Sequence, residues 1–438
     1  MRLRSHSTAG LMIYRVMKSL RGWARHIFRW YVVGAAIVVL AAVLVRGLAL
    51  TDYPTTYTYR KLFWGDSNVG DKTRFESRPL RASAEPRRFR AAADPESTRR
   101  ILQETAGTVD FERMLADTGT EALLVLRDDT LLYEGYFNGA RRDSLLTSFS
   151  VAKSVSSALV GIAMGEGKLH SLDDSITRYL PELVARDPRF APITLRNLLT
   201  MTSGIRYADL GWRLSSDASL TYYFPDLREL CLERTQLDAA PGTRWLYNTY
   251  NPILMGLILE RVTGMSITAY TEQRLWQPLG MEFDGSWSVD HEPGGMEKME
   301  SGLNARAIDY LKFGKLFLDS GRWDGRQIIP AEWAAESTAA TPAVDRPDLF
   351  PPDSRFWQWT PSGEKGFYAY WWWGWVEPDG HESFAGIGKH GQFIFISRAD
   401  RVVIVRNGAG IGRPGREWVA WFQRVAHRLG AQSDKPAR

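Results

Sequence analysis

Two stretches of the chain alternate apolar and polar positions in a way that predicts β-hairpins. Ala122 to Leu126, the polar Arg127-Asp128-Asp129-Thr130 and Leu131 to Phe137 read as strand, turn, strand. Gln392 to Ser397, a turn at Arg398-Ala399-Asp400, and Arg401 to Arg406 read the same way near the other end. Trp418, Val419, Trp421, Phe422 and Val425 then recur at helical spacing. Between the hairpins, residues 150 to 335 are mostly helical in pattern, interrupted by loops such as Thr202-Ser203-Gly204 and Pro241-Gly242-Thr243. Strands at both ends of a helical middle predict an α+β fold, with one antiparallel sheet built from N- and C-terminal segments, flanked by helices, and a mostly helical inserted lobe.

Upstream of this body, Tyr31 to Val45 carries no charge. With Arg46 and the apolar residues 47–50 it makes about 20 residues flanked by Trp30 and Tyr53, the length of a membrane span. Residues 1–30 hold seven basic side chains and no acidic one. The long arm, the length of the apolar stretch and the lack of a small-residue cleavage site predict an uncleaved anchor rather than a signal peptide. The positive-inside rule then places the rest of the chain outside the cytoplasm, facing the periplasm from the inner membrane. Residues 51–100 are polar and arginine-rich, with Pro54, Pro79, Pro86 and Pro95, and predict a linker or a surface wrap. The expected plan is a basic arm (1–30), an anchor (31–50), a linker or wrap (51–100), one catalytic body (101–430) and a tail (431–438).

Composition narrows the function classes. With 44% hydrophobic and 24% charged residues the chain is neither disordered nor fibrous. The net charge of +5 resides in the arm, because the other residues hold 48 of the 55 basic side chains against all 50 acidic ones. That balance argues against nucleic acid as a partner. One cysteine, Cys231, excludes an intramolecular disulfide and any cysteine-clustered metal site. The seven histidines form no His-Glu-x-x-His pattern, and no Gly-x-Ser-x-Gly elbow or phosphate-cradling loop occurs, so no metal or other cofactor is expected.

The chemical signal is Ser148-Phe149-Ser150-Val151-Ala152-Lys153. Val151, Val155, Ala158, Leu159 and Ile162 fit one helix face, which puts Ser150 at a helix N-terminus. Unpaired N–H groups there favour an alkoxide and the oxyanion formed when it attacks a carbonyl. Lys153, three residues on, shares the face of Ser150 and can stabilise the alkoxide as a cation or take its proton as an amine. By itself such a serine is far more often an ordinary N-cap.

Five further segments stand in order behind it: Ser171-Leu172-Asp173-Asp174 with Tyr179-Leu180-Pro181; Ile193 to Gly204; Pro241-Gly242-Thr243-Arg244-Trp245-Leu246-Tyr247-Asn248-Thr249; Gly302-Leu303-Asn304-Ala305; and Phe384 to Gln392. With these, residues 105–430 resemble the serine β-lactamase and penicillin-binding family, nearest its class C and esterase-like branch, the branch of 6-aminohexanoate-dimer hydrolase and bacterial esterases. The resemblance implies a serine hydrolase working through an acyl-enzyme on Ser150. It puts Tyr247 beside Lys153 as a proton carrier and leaves open which of the two is the base. Thr249 replaces the usual amide of the Tyr-x-Asn motif, which turns expectation away from β-lactams, and Asn248 is the neighbouring amide. The family's Lys-Thr-Gly box is matched here to Lys389-His390-Gly391. On that match Gly391 lets substrate approach, the N–H of Gln392 is the second oxyanion donor, Lys389 anchors a substrate carboxylate and His390 lines the cleft. The aromatic run Tyr368 to Trp375 is expected as a strand with some rings in the core and others walling an acyl pocket. A small amide or ester is the expected substrate. Cell-wall peptides or β-lactams, and a catalytically silent binding or sensor protein of the same fold, are the alternatives, and oligomeric state is left open.

Overall fold

The computed structural model describes residues 17, 23, 26, 28–40, 53–211, 213–340, 347–350 and 355–431. The chain divides into two units, 1–63 and 64–438. In the first unit, Phe28–Leu40 forms an apolar helix, and among the described residues no single helix is long and apolar enough to cross a membrane. Residues 41–50 of the expected anchor, most of the arm and residues 432–438 of the tail lie outside the described residues.

The second unit contains the strands β1 (Ser77–Leu80), β2 (Arg90–Ala91), β3 (Thr120–Arg127), β4 (Thr130–Tyr136), β5 (Leu146–Thr147), β6 (Gly285–Ser288), β7 (Leu303–Ala305), β8 (Arg322–Trp323), β9 (Arg326–Gln327), β10 (Lys365–Ala369), β11 (Trp372–Val376), β12 (Glu382–Gly388), β13 (Gln392–Ser397) and β14 (Val402–Gly408). Eight of them make the main sheet, in the order β10-β11-β12-β13-β14-β3-β4-β2. The two hairpins read from the sequence sit side by side in it, because β14 pairs antiparallel with β3, Ile404 opposite Val125. The α+β architecture is the one expected, with sheet strands drawn from both ends of the body.

Period-two alternation gives this sheet two buried faces. On β13, Ile394 faces helix Ala307–Leu318, where Gly314 lets the helix come close to Ile394 and Val403. Its neighbours Phe393 and Phe395 point the other way, against Phe422 of helix Gly415–Gly430. A smaller sheet, β1-β6-β7-β5, leads directly into the serine motif, because β5 ends one residue before Ser148. From Trp64 onward the proline-rich segment adds a strand to each of these two sheets: β1 pairs with β6, and β2 runs parallel to β4.

Candidate active site

The serine helix, Val151–Gly165, begins at a strained bend. Phe149 has φ +42°, a conformation that a bulky non-glycine residue takes only at a cost. Its ring is buried and meets the His390 ring edge-on at 5.3 Å, and Ser148 Oγ donates to its carbonyl at 3.1 Å. The bend sets Ser150 at the helix N-cap, yet its hydroxyl makes no capping bond. It accepts instead from Lys153 Nζ at 2.9 Å. A serine that only capped the helix would hold its oxygen on the first-turn N–H groups.

Lys153 is buried and donates its second hydrogen bond to the Glu300 main-chain carbonyl at 2.8 Å. Burial pushes its pKa down from 10.5 to about 7, against the opposing pull of the Glu300 charge. Near neutrality much of the amine is therefore unprotonated, as proton abstraction from a serine requires. The Tyr247 ring lies 5.1 Å from this nitrogen. It stacks on Trp373 at 5.7 Å and takes Tyr368 edge-on at 6.2 Å, with Trp245 and Phe356 behind. Tyr247, distant in sequence, is brought beside Ser150 and Lys153, which share one helix turn.

The aromatic run is not the single strand expected. It folds back at Tyr370-Trp371, both at positive φ, and joins β10 to β11 as a two-residue turn. Such turns ordinarily use Asn-Gly. Here Trp371 is tied down from both ends: its indole donates to the Leu198 carbonyl at 3.1 Å, and its own carbonyl accepts from Ser154 Oγ of the serine helix at 2.9 Å. The fold-back makes Tyr368 and Trp373 register partners, which is how both reach Tyr247.

β12 lies against the serine helix more extensively than β13 does. A Cβ on Gly388 would fall 2.3 Å from the Ser148 carbonyl oxygen, and one on Gly386 2.8 Å from Ser154 Oγ. Glycine at alternate positions clears the face of the strand turned to the helix. Gly391, at φ +79°, faces Arg406, whose Nη1 would meet a Cβ at 2.1 Å. Gln392 is buried, its amide engaged by Lys389 O, Gly408 O and Asn407. Buried Arg406 also gathers the carbonyls of His390 and Gly391, fixing the loop. Among the described residues, neither the Ser150 N–H nor the Lys389 N–H has a backbone acceptor.

The Lys389 ammonium contacts Asp66 and Ser67 Oγ, each at 2.8 Å. His390 Nε2 reaches the Ser67 carbonyl at 2.9 Å. Asn248 turns inward: it is buried, donates to Ile205 O at 2.8 Å and accepts from the Tyr250 N–H. It does not replace the missing amide, since its side chain is spent on these buried main-chain bonds. Thr249 pairs with the Tyr207 hydroxyl at 2.9 Å.

The Beta-lactamase family model matches residues 111–408, from the start of helix Phe111–Asp117 to the end of β14. The chain belongs to the Beta-lactamase family. Within it, the chain is 28% identical over 326 residues to the 6-aminohexanoate-dimer hydrolase of Paenarthrobacter ureafaciens, covering 70% of this chain and 77% of that one. It is 32% identical over 166 residues to esterase EstB of Burkholderia gladioli, covering 35% and 41%. A Bacillus anthracis protein provisionally assigned as a 6-aminohexanoate-dimer hydrolase superposes with TM-score 0.66 at 21% identity, covering 88% and 96%. A class C β-lactamase superposes with TM-score 0.53 at 16% identity, covering 79% and 98%. This Beta-lactamase family member thus has the serine β-lactamase fold and hydrolase relatives, and the Ser150–Lys153 pair lies inside the matched span.

Proposed function

We propose that this protein is a serine hydrolase that cleaves a small, uncharged ester or amide through an acyl-enzyme on Ser150. The observation that carries the reading is the Lys153 Nζ to Ser150 Oγ hydrogen bond of 2.9 Å, made by a serine that does not cap its helix. Neutral Lys153 takes the hydroxyl proton as Ser150 attacks the carbonyl. Tyr247, close to that amine, passes the proton to the leaving group, and water reverses the sequence to release the acid. The N–H groups of Ser150 and Lys389 hold the oxyanion, a role the Gly388 contact supports better for Lys389 than for Gln392. Preference for an uncharged substrate rests on the engaged Lys389 ammonium and on Thr249 standing in place of an amide.

The test is labelling by a fluorophosphonate and turnover of p-nitrophenyl butyrate by wild type and Ser150→Ala. Labelling and turnover that vanish in the variant are expected, and a wild type that does neither refutes the reading. Across that ester, a 6-aminohexanoate dimer, a D-Ala-D-Ala peptide and a cephalosporin, the ester is expected first and the cephalosporin last. For location, the charge-free residues 31–45 behind a basic arm support an N-terminal membrane anchor. Release of the full chain from membranes by alkaline carbonate alone would refute that anchor.

A further inference from the structure

Behind Lys153 lies a second pair of charges that the proton relay does not use. Glu300, whose main-chain oxygen receives Lys153, sends its carboxylate to Lys298 at 2.8 Å, and both side chains are within 2% of full burial. Lys298 also donates to the Tyr222 carbonyl at 2.8 Å and lies 4.9 Å from the rings of Phe75 and Tyr222. Ser301 Oγ donates to the same Glu300 oxygen as Lys298, at 2.9 Å. The other oxygen, Oε2, is buried without a hydrogen-bond partner. A buried ion pair is seldom worth its desolvation, and an unpaired buried carboxylate oxygen costs more. A fold that only needed to fill this space would do so with apolar side chains.

We propose that Glu300, braced by Lys298, is a positioning residue that aims Lys153 at Ser150. The inference rests on the hydrolase reading above. The carboxylate fixes the residue whose carbonyl receives the amine, and its negative charge opposes the effect of burial on that amine. Other ionisable groups around the pair do not do this. Tyr222 and Cys231 both feel the Glu300 charge, but burial keeps the phenol and the thiol protonated and neutral. Facing Lys153 itself are Ser150, Tyr247 and Glu300.

Removing the charge therefore favours the free amine at lower pH. In Glu300→Gln the acidic limb of kcat/KM for p-nitrophenyl butyrate is expected to move down by about one pH unit, with a lower plateau because the amine is less well aimed. Glu300→Asp, which keeps the charge, is expected to hold the limb near its wild-type position. Because Glu300→Gln leaves Lys298 buried and unpaired, Glu300→Gln with Lys298→Met is measured alongside. It removes both charges, and its limb is also expected to fall. Folded variants, shown by fluorophosphonate labelling, whose limb stays within about 0.2 units of wild type would overturn the proposal. A wild type without labelling or turnover at any pH would instead overturn the hydrolase reading.

Discussion

Replacing Gly388 by alanine adds one methyl group where β12 comes nearest to the segment entering the serine helix. The new carbon would stand 2.3 Å from the Ser148 carbonyl oxygen, whereas ordinary contact begins at 3.4 Å, so the difference, about 1.1 Å, must be found by movement. Ser148 cannot retreat easily: its N–H is bonded to Leu303 O at 2.9 Å, and its carbonyl already receives the Val151 N–H. The strand end must give way, carrying the Lys389 N–H with it. Gly388 has no left-handed φ, so alanine brings no backbone penalty, and the test is of packing against Ser148 and, less tightly, Gln392 Cβ at 3.0 Å. A displacement of about 1 Å at a reacting site costs on the order of 100-fold. We expect kcat for p-nitrophenyl butyrate to fall about 10- to 100-fold, with a smaller change in KM and slower fluorophosphonate labelling. Gly386→Ala meets a side chain rather than main chain, Ser154 Oγ at 2.8 Å and its Cβ at 3.3 Å, and is expected to lose less. A folded Gly388→Ala enzyme within twofold of wild type in kcat/KM would refute the placement of the oxyanion site at this strand end.

Lys153→Met should abolish turnover yet raise the melting temperature at pH 6. The native amine titrates near 7 and the unfolded one near 10.5, so its burial penalty is full below 7 and fades as pH rises between those values. An equal or lower Tm at pH 6 contradicts this. His427 is bonded to Glu377 and Asp400. Burial lowers its pKa but the two carboxylates outweigh it, so the net shift is upward from 6.5. Its contribution is present below 6.5 and lost as pH climbs through the native value, so His427→Phe should lower Tm at pH 6 more than at pH 9. The effect is up to about 1 kcal/mol for a side chain 32% exposed. A deficit that grows with pH would be the wrong sign. Asp66→Ala releases the Lys389 ammonium. It should lower KM for a carboxylate-bearing p-nitrophenyl ester several-fold while leaving the butyrate ester unchanged, and parallel changes for both esters would show that Lys389 does not face substrate.

The elements with strong periodicity were legible from residues alone. Thr120–Arg127 with Thr130–Tyr136, Gln392–Ser397 with Val402–Gly408, the serine helix and the closing helix all stand where the pattern put them. Ser150, Lys153 and Tyr247 were legible through motif order. What could not be read depended on contacts between distant segments. Phe367 to Trp375 has no Asn-Gly to announce a turn, and the left-handed Tyr370 and Trp371 are imposed by Leu198 and Ser154. Gly388 and Gly391 look alike in sequence, and only packing against Ser148 or Arg406 tells them apart. Glu297 to Ser301, polar in sequence, is buried because its charges find partners inside.

The proline-rich stretch after Trp64 decides where a recombinant chain can safely begin. It covers the outer side of β6 with β1 and of β4 with β2, while Asp66 and Ser67 reach the loop after β12. A shortened product starting near residue 101, the point at which the recognisable body sets in, would bare two hydrogen-bonding edges at once. Such margins invite neighbouring molecules to pair along them, so insolubility of that product would reflect missing upholstery rather than a faulty interior.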